Sequence, residues 1–172
     1  MAVLISDHDV TRGDPIDLIE QIVAANEWPY DRQNKKELTV FLAGNWAEYH
    51  LHFAWSDRTA ADRYGGLQVV CAFDARVSKS VQVSLFELLT LVNAHLWLGH
   101  FDLVVDEGLL MFRHGLLMGG AEDLRATQCE QLIDVAVNEC ERFYPAFQFV
   151  LWGGKTPKEA MQISLLETVG EA

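Results

Sequence analysis

Apolar positions along this chain change period, and each change marks an element. From Pro15, residues Ile16, Leu18, Ile19, Ile22 and Val23 recur at three- to four-residue spacing, the repeat of one helix face. Asp14 stands where an N-cap carboxylate is wanted. Pro15 takes the first helical position, where its missing N–H costs nothing. A helix over 15–27 is predicted, ended by Pro29. The period then drops to two. Residues 38–43 and 46–55 read as strands joined by Gly44-Asn45, a tight-hairpin signal. Along the second of these, Tyr49, Leu51, Phe53 and Trp55 face one side, with Glu48, His50 and His52 on the other. A polar loop over 56–66 leads to a third strand at 67–73.

Ser84-x-x-Glu87 has the spacing of a capping box, with Val83 and Leu88 placed as its hydrophobic staple. Leu85, Leu88, Leu89, Val92 and Leu96 form the inner stripe of the helix that follows. Trp97 stands at its end and Gly99 at the left-handed C-terminal position. Residues 101–105 and 109–118 make a hairpin around Asp106-Glu107-Gly108, and Gly119-Gly120 ends the sheet. A third helix carries Cys129, Leu132, Ile133, Ala136, Val137, Cys140, Phe143, Tyr144 and Phe147 on one stripe, with a kink or break expected at Pro145. Beyond the proline, Phe149 falls opposite the stripe and Trp152 well off it, so this stretch needs cover on more than one side. Thr156-Pro157-x-Glu159 is a second capping box and opens a short last helix. The predicted order is α-βββ-α-ββ-αα. Hairpins in place of crossover units imply an antiparallel sheet with helices packed on it, an α+β fold. Without repeats, low-complexity tracts or a linker, the expected organisation is an N-terminal tail, 1–14, followed by a single domain, 15–168.

Composition narrows the function classes. Half of the 172 residues are apolar and 22% are charged, which excludes intrinsic disorder. Thirteen Lys and Arg stand against 25 Asp and Glu, a formal net charge of −12, which argues against nucleic acid and anionic membrane surfaces as partners. Glu20, Glu130, Asp134, Glu139 and Glu141 fall on outer helix faces and read as a solubilising surface. The N-terminus lacks a signal-peptide pattern and no apolar run reaches membrane-spanning length, so a cytoplasmic location is expected. Cys71, Cys129 and Cys140 form no metal or redox spacing and read as buried free thiols.

Few patterns point to chemistry. Glu48, His50 and His52 share a strand face and His95, His100 and His114 flank the second helix and second hairpin, a possible transition-metal set; the plainer account is a solvated strand face and ordinary sheet or surface histidines. Gly153-Gly154-Lys155-Thr156 invites a phosphate-loop reading, but Phe149 occupies the required first glycine position. No nucleophile elbow or dinucleotide fingerprint is present. Asp102, Asp106 and Glu107 cluster at a turn, where Asp is favoured for local hydrogen bonding. The surplus aromatics are more telling. Phe149, Trp152 and Trp97 lie off the core stripes and are the candidate partner-binding residues. The last helix, through Met161 and Leu165, is one cover for the first two, and another subunit or a client is the alternative.

Two runs, FELLTLVNAHLWLGHFD with GLLMFRH, and CERFYPAFQFVLWGGKTPKEA, resemble the YbjN family of bacterial proteins, described as sensory transduction regulators. The resemblance extends over about 15–168. It implies a fold similar to type III secretion chaperones, which are small acidic cytoplasmic α+β proteins that commonly dimerise and bind extended segments of other proteins. The extra C-terminal helix departs from that plan. The family brings no catalytic residues. The resulting expectation is a non-enzymatic, chaperone-like or adaptor protein without a cofactor, acting on protein partners and forming a homodimer, since the second helix and the C-terminal block carry more apolar surface than one sheet face covers. The alternatives are a metal-binding protein or metal-dependent enzyme using the strand histidines, and a small-ligand sensor with a pocket between sheet and helices.

Overall fold

A computed structural model describes residues 14–56, 65–118 and 124–169. The expected tail as far as residue 13, the interior of the 56–66 loop and Gly119-Gly120 lie outside the described residues. The elements are α1 (Pro15–Ala25), β1 (Tyr30–Asn34), β2 (Glu37–Ala43), β3 (Glu48–Ser56), β4 (Gly65–Arg76), α2 (Gln82–Asn93), β5 (His100–Val104), β6 (Leu109–Met118), α3 (Ala126–Leu151) and α4 (Pro157–Val169). The fold is α+β. Its strands form one six-stranded sheet in the order β1-β2-β3-β4-β6-β5, antiparallel throughout. The predicted order of elements holds, and one further edge strand, β1, precedes the expected three.

One sheet face is the floor of the core. Leu38, Val40, Tyr49, Leu51, Phe53, Leu67, Val69, Cys71 and Phe112 are buried on it at period two, beneath Ile16, Ile19 and Ile22 of α1 and the α3 stripe. Burying an aliphatic or aromatic side chain of this size contributes about 1.5–3 kcal/mol, so these positions fix strand register more firmly than any turn does. A ring cluster closes the centre: Phe101 lies 5.0 Å from Phe147, 5.4 Å from Phe112 and 5.9 Å from Phe73. The opposite face carries His50, Gln68 and Arg113 among its outward residues.

Helix ends follow burial as well as capping. Asp14 caps α1 as expected, accepting from the Ile16 N–H at 3.3 Å. At α4 the Thr156/Glu159 box forms: the Thr156 N–H and hydroxyl donate to Glu159 at 3.0 and 2.8 Å, and the Glu159 N–H donates to Thr156 at 3.4 Å. The Ser84/Glu87 box does not form. Helix α2 begins at Gln82 after a Ser78–Val81 turn, with Val81 as a cap that offers no side chain, and Val83 is 80% exposed instead of stapled. Burial of Leu85, Leu88, Leu89 and Val92 sets the helix phase there. That helix stops at Asn93, so Trp97 and Gly99 lie beyond it. Gly99 does adopt a left-handed φ of 71°, but in the turn that enters β5. Helix α3 runs unbroken through Pro145 for 26 residues, its buried stripe continuing through Phe147 to Val150. Of the kink or break expected at Pro145, the break does not occur, because both sides of the proline are held in the core.

The β2–β3 hairpin is looser than predicted. Ala43 pairs with Glu48, so the loop spans Gly44 to Ala47, closed by the Gly44 N–H donating to the Ala47 carbonyl at 2.9 Å. Its tip sits on α3. The Asn45 N–H donates to Glu141 Oε1 at 2.8 Å, and Trp46 stacks on Tyr144 at 6.4 Å. Gly44 is required because a Cβ there would overlap the Tyr49 ring and the Glu141 carboxylate. Burial, followed by the Glu141 carboxylate beside it, pushes the Tyr49 phenol far above its ordinary range. The expectation that Glu130, Glu139 and Glu141 form an outer solvated face is therefore corrected: Glu130 is buried, and one carboxylate oxygen each of Glu139 and Glu141 is shielded from water. Tertiary contacts reach around α3 to cover positions that a single apolar stripe leaves outside.

Candidate interaction site

Strand β6 is longer than its outer neighbour. The β5 register runs from His100 opposite Arg113 to Val104 opposite Leu109, and among the described residues no strand continues it along His114 to Met118. Gly99 ends the pairing. Its left-handed backbone turns the chain away from the sheet, at a place where a Cβ would fall against the Phe112 ring and 2.9 Å from the Arg113 carbonyl. The Arg113 carbonyl thus points toward β5, whereas the Leu116 carbonyl faces Gly66 of β4, 2.8 Å from where its Cβ would be. Backbone direction alternates along a strand, so Gly115 and Leu117 present their N–H and C=O groups to the unpaired side.

Beside this edge lies a cavity of about 210 Å³ between β6 and α3, lined by Leu98, Leu116, Leu132 and Val135, with His114, Gln128 and Gln131 as its polar members. Burial first, and the neighbouring His100 second, hold the His114 imidazole below its ordinary pKa, favouring the neutral ring. On the sheet's other side a broad hollow of about 430 Å³ reaches the same strand end through Gly115 and Leu117. Gly115 contributes to that openness, since a Cβ there would meet nothing within 4 Å. Leu117 is 70% exposed and Leu98 43%.

The sequence-predicted residues divide. Trp97, 92% exposed, precedes Leu98 at the rim of this cavity. Phe149 is half-buried against the core. Trp152 caps the far end of α3 and is 60% exposed. The α3 segment from Val135 to Trp152 spans about 25 Å at ~1.5 Å per residue, so Trp97 and Trp152 mark different ends of that helix. Helix α4 folds back on α3: Ser164 Oγ donates to the Arg142 carbonyl at 3.0 Å, and Met161 and Leu165 pack into the core. Sequence reading found Trp97 but not the strand end next to it, whose only signal is a ten-residue strand facing a five-residue one.

His100 and His114 neighbour each other, while the other described histidines stand apart with separate partners. His50 lies 3.0 Å from Glu48 and edge-on to Phe41, His52 Nδ1 lies 3.1 Å from Thr39, and His95 Nδ1 lies 2.9 Å from the Leu91 carbonyl. Among the described residues no group of three or more His, Cys, Asp or Glu is placed to hold a metal. Asp102 pairs with Arg113 at 3.0 Å across the β5–β6 ladder. All three cysteines are free and buried. Burial pushes the Cys129 thiol up to about 12 and raises Cys140 as well, leaving both as poor nucleophiles. Gly153 to Thr156 form the turn between α3 and α4, with the Lys155 N–H donating to the Phe149 carbonyl at 3.0 Å.

No helix among the described residues is long and apolar enough to cross a membrane. No curated protein and no solved structure matches the chain. A family model does: YbjN, described as "Putative bacterial sensory transduction regulator", matches residues 15–149, from the start of α1 to near the end of α3.

Proposed function

The chain belongs to the YbjN family, and on that premise we propose that it is a non-enzymatic regulator that works by holding other proteins, in the manner of a chaperone or adaptor, in the bacterial cytoplasm. The observation that carries this reading is the set of large apolar side chains left at the surface of a strongly acidic chain. Trp97 and Leu117 are among the most exposed, and they lie at a strand end whose outer side no strand among the described residues pairs. Exposed apolar groups of this kind, rimmed by polar residues, mark interaction surfaces. The fold analogy with type III secretion chaperones and a homodimeric state belong to the same proposal. Cross-linking in living cells followed by mass spectrometry tests it. A small, reproducible set of partners is expected with the native chain, and its recovery falls when Trp97→Ala and Trp152→Asp are combined. Absence of any partner above background, or recovery untouched by both substitutions, overturns the reading.

A further inference from the structure

We propose that the unpaired end of β6 and the cavity beside it bind an extended segment of another protein, which adds as a strand in line with β5 and carries aliphatic side chains at alternate positions with basic residues between them. This rests on the reading of the chain as a protein-binding regulator and gives that reading a place and a partner chemistry.

Gly115 and Leu117 present ladder groups on the side where β5 has ended, so an added strand would continue an existing row of hydrogen bonds. Edges are ordinarily blocked by Lys, Pro, bulges or inward charge. His114 to Met118 hold no proline and no fixed charge, and their pairing with β4 is regular. Side chains of an added strand alternate between faces, and those on the helix side enter the cavity of about 210 Å³. Its Leu98, Leu116, Leu132 and Val135 lining suits an aliphatic group, and Trp97 stands exposed at the rim. The intervening residues face water on a chain of net charge −12, which draws basic segments and repels acidic ones. A second copy fits less well. Its own β6 would arrive with Met118 already buried and with an α3 of its own over the space that the incoming side chains need.

The test uses the full chain and a short, end-blocked peptide of alternating valine and lysine. Controls are a peptide of the same composition with valines and lysines in two blocks, and one alternating valine with glutamate. Calorimetry is expected to show saturable binding of the first peptide alone, with amide exchange slowed at Gly115 and Leu117. Leu117→Pro removes an outward N–H without touching the β4 ladder, and Val135→Phe fills the cavity. Each is expected to weaken binding by ~tenfold or more, a clear change in Kd, while Lys79→Ala, exposed in the Ser78–Val81 turn, leaves it unchanged. If Leu117→Pro does not fold, Val135→Phe decides alone. Equal binding of the block peptide, insensitivity to the β6 and cavity variants, or protection elsewhere overturns the site. Slow exchange at Gly115 and Leu117 in a self-associated chain without peptide also overturns it, in favour of a second copy. Cellular partners whose capture survives both variants would leave the protein-binding reading standing while removing this site.

Discussion

At one edge of the sheet, β1 is short and polar, and its inward-facing Arg32 is clamped by α1: it donates to Asp17 at 2.6 Å and also pairs with Glu20. At the other edge, β5 covers only the first part of β6, and the remainder ends in apolar residues beside a cavity. The first edge shows the usual protections, short length and charge, which keep backbone groups from templating another strand. The second lacks them along His114 to Met118. The difference teaches that one edge is built to remain an edge, while the other is built as a place where the sheet is unfinished.

The largest break in this comparison comes from the core beneath the open edge. Phe101 is the inward anchor of β5, in ring contact with Phe73, Phe112, Phe143 and Phe147. Phe101→Ala is expected to cost about 3–5 kcal/mol, as truncation of a fully packed aromatic does. Amide exchange should show β5 opening first, with β1 and β2 still protected. Equal loss of protection at both edges would mean that they are not separable units.

The guarded edge is weaker per contact. Arg32 has a side chain 23% exposed and its partners are more open, so solvent screens the clamp. The Asp17 hydrogen bond, opposed by burial, raises the Arg32 pKa further, and the guanidinium is charged throughout. Arg32→Ala should therefore cost only about 1 kcal/mol in urea unfolding, and the loss should shrink in high salt. A loss unchanged by salt would assign the effect to packing of the Arg stem on α1.

Arg32 also shows why part of the fold escaped the sequence. Period-two reading looks for an apolar residue at each inward position, and β1 places an ion pair there, so the strand had no signal. Elements whose cause is local were legible: the Asp14 cap, the Gly108 turn with φ of 64°, the Thr156/Glu159 box and the α3 stripe. Features made by distant chain were not. Glu141 looks solvated from its helical neighbours, and it is the hairpin tip, 96 residues earlier, that covers it. The candidate site is of the same kind. Trp97 stood out as a surplus aromatic, and the expected strand bounds 101–105 and 109–118 already carried the length difference, but the strand order that puts the excess of β6 at an outer edge is something no spacing encodes.

The smallest effect sharpens the contrast in how the two edges treat charge. The Arg32 charge is matched by the carboxylates of Asp17 and Glu20 that face it. His114 lines the cavity with Gln128 and Gln131 of α3, and burial first, then the neighbouring His100 of β5, disfavours its protonated form. With a folded pKa below the ordinary 6.5, the unfolded chain binds more protons over the window between the two values, and stability rises with pH there. The contribution is fully present above pH about 6.5 and is lost as pH falls toward the folded pKa. His114→Gln should flatten that slope in urea unfolding followed across this window, while Arg32→Ala leaves it in place. The same protonation would put a charge in the cavity that receives the valine side chains, so the native chain should hold the alternating valine–lysine peptide less tightly at the acid end of the window. A slope that persists in His114→Gln would place the titration elsewhere in the chain, and the open edge would then lose its claim to a charge-excluding cavity.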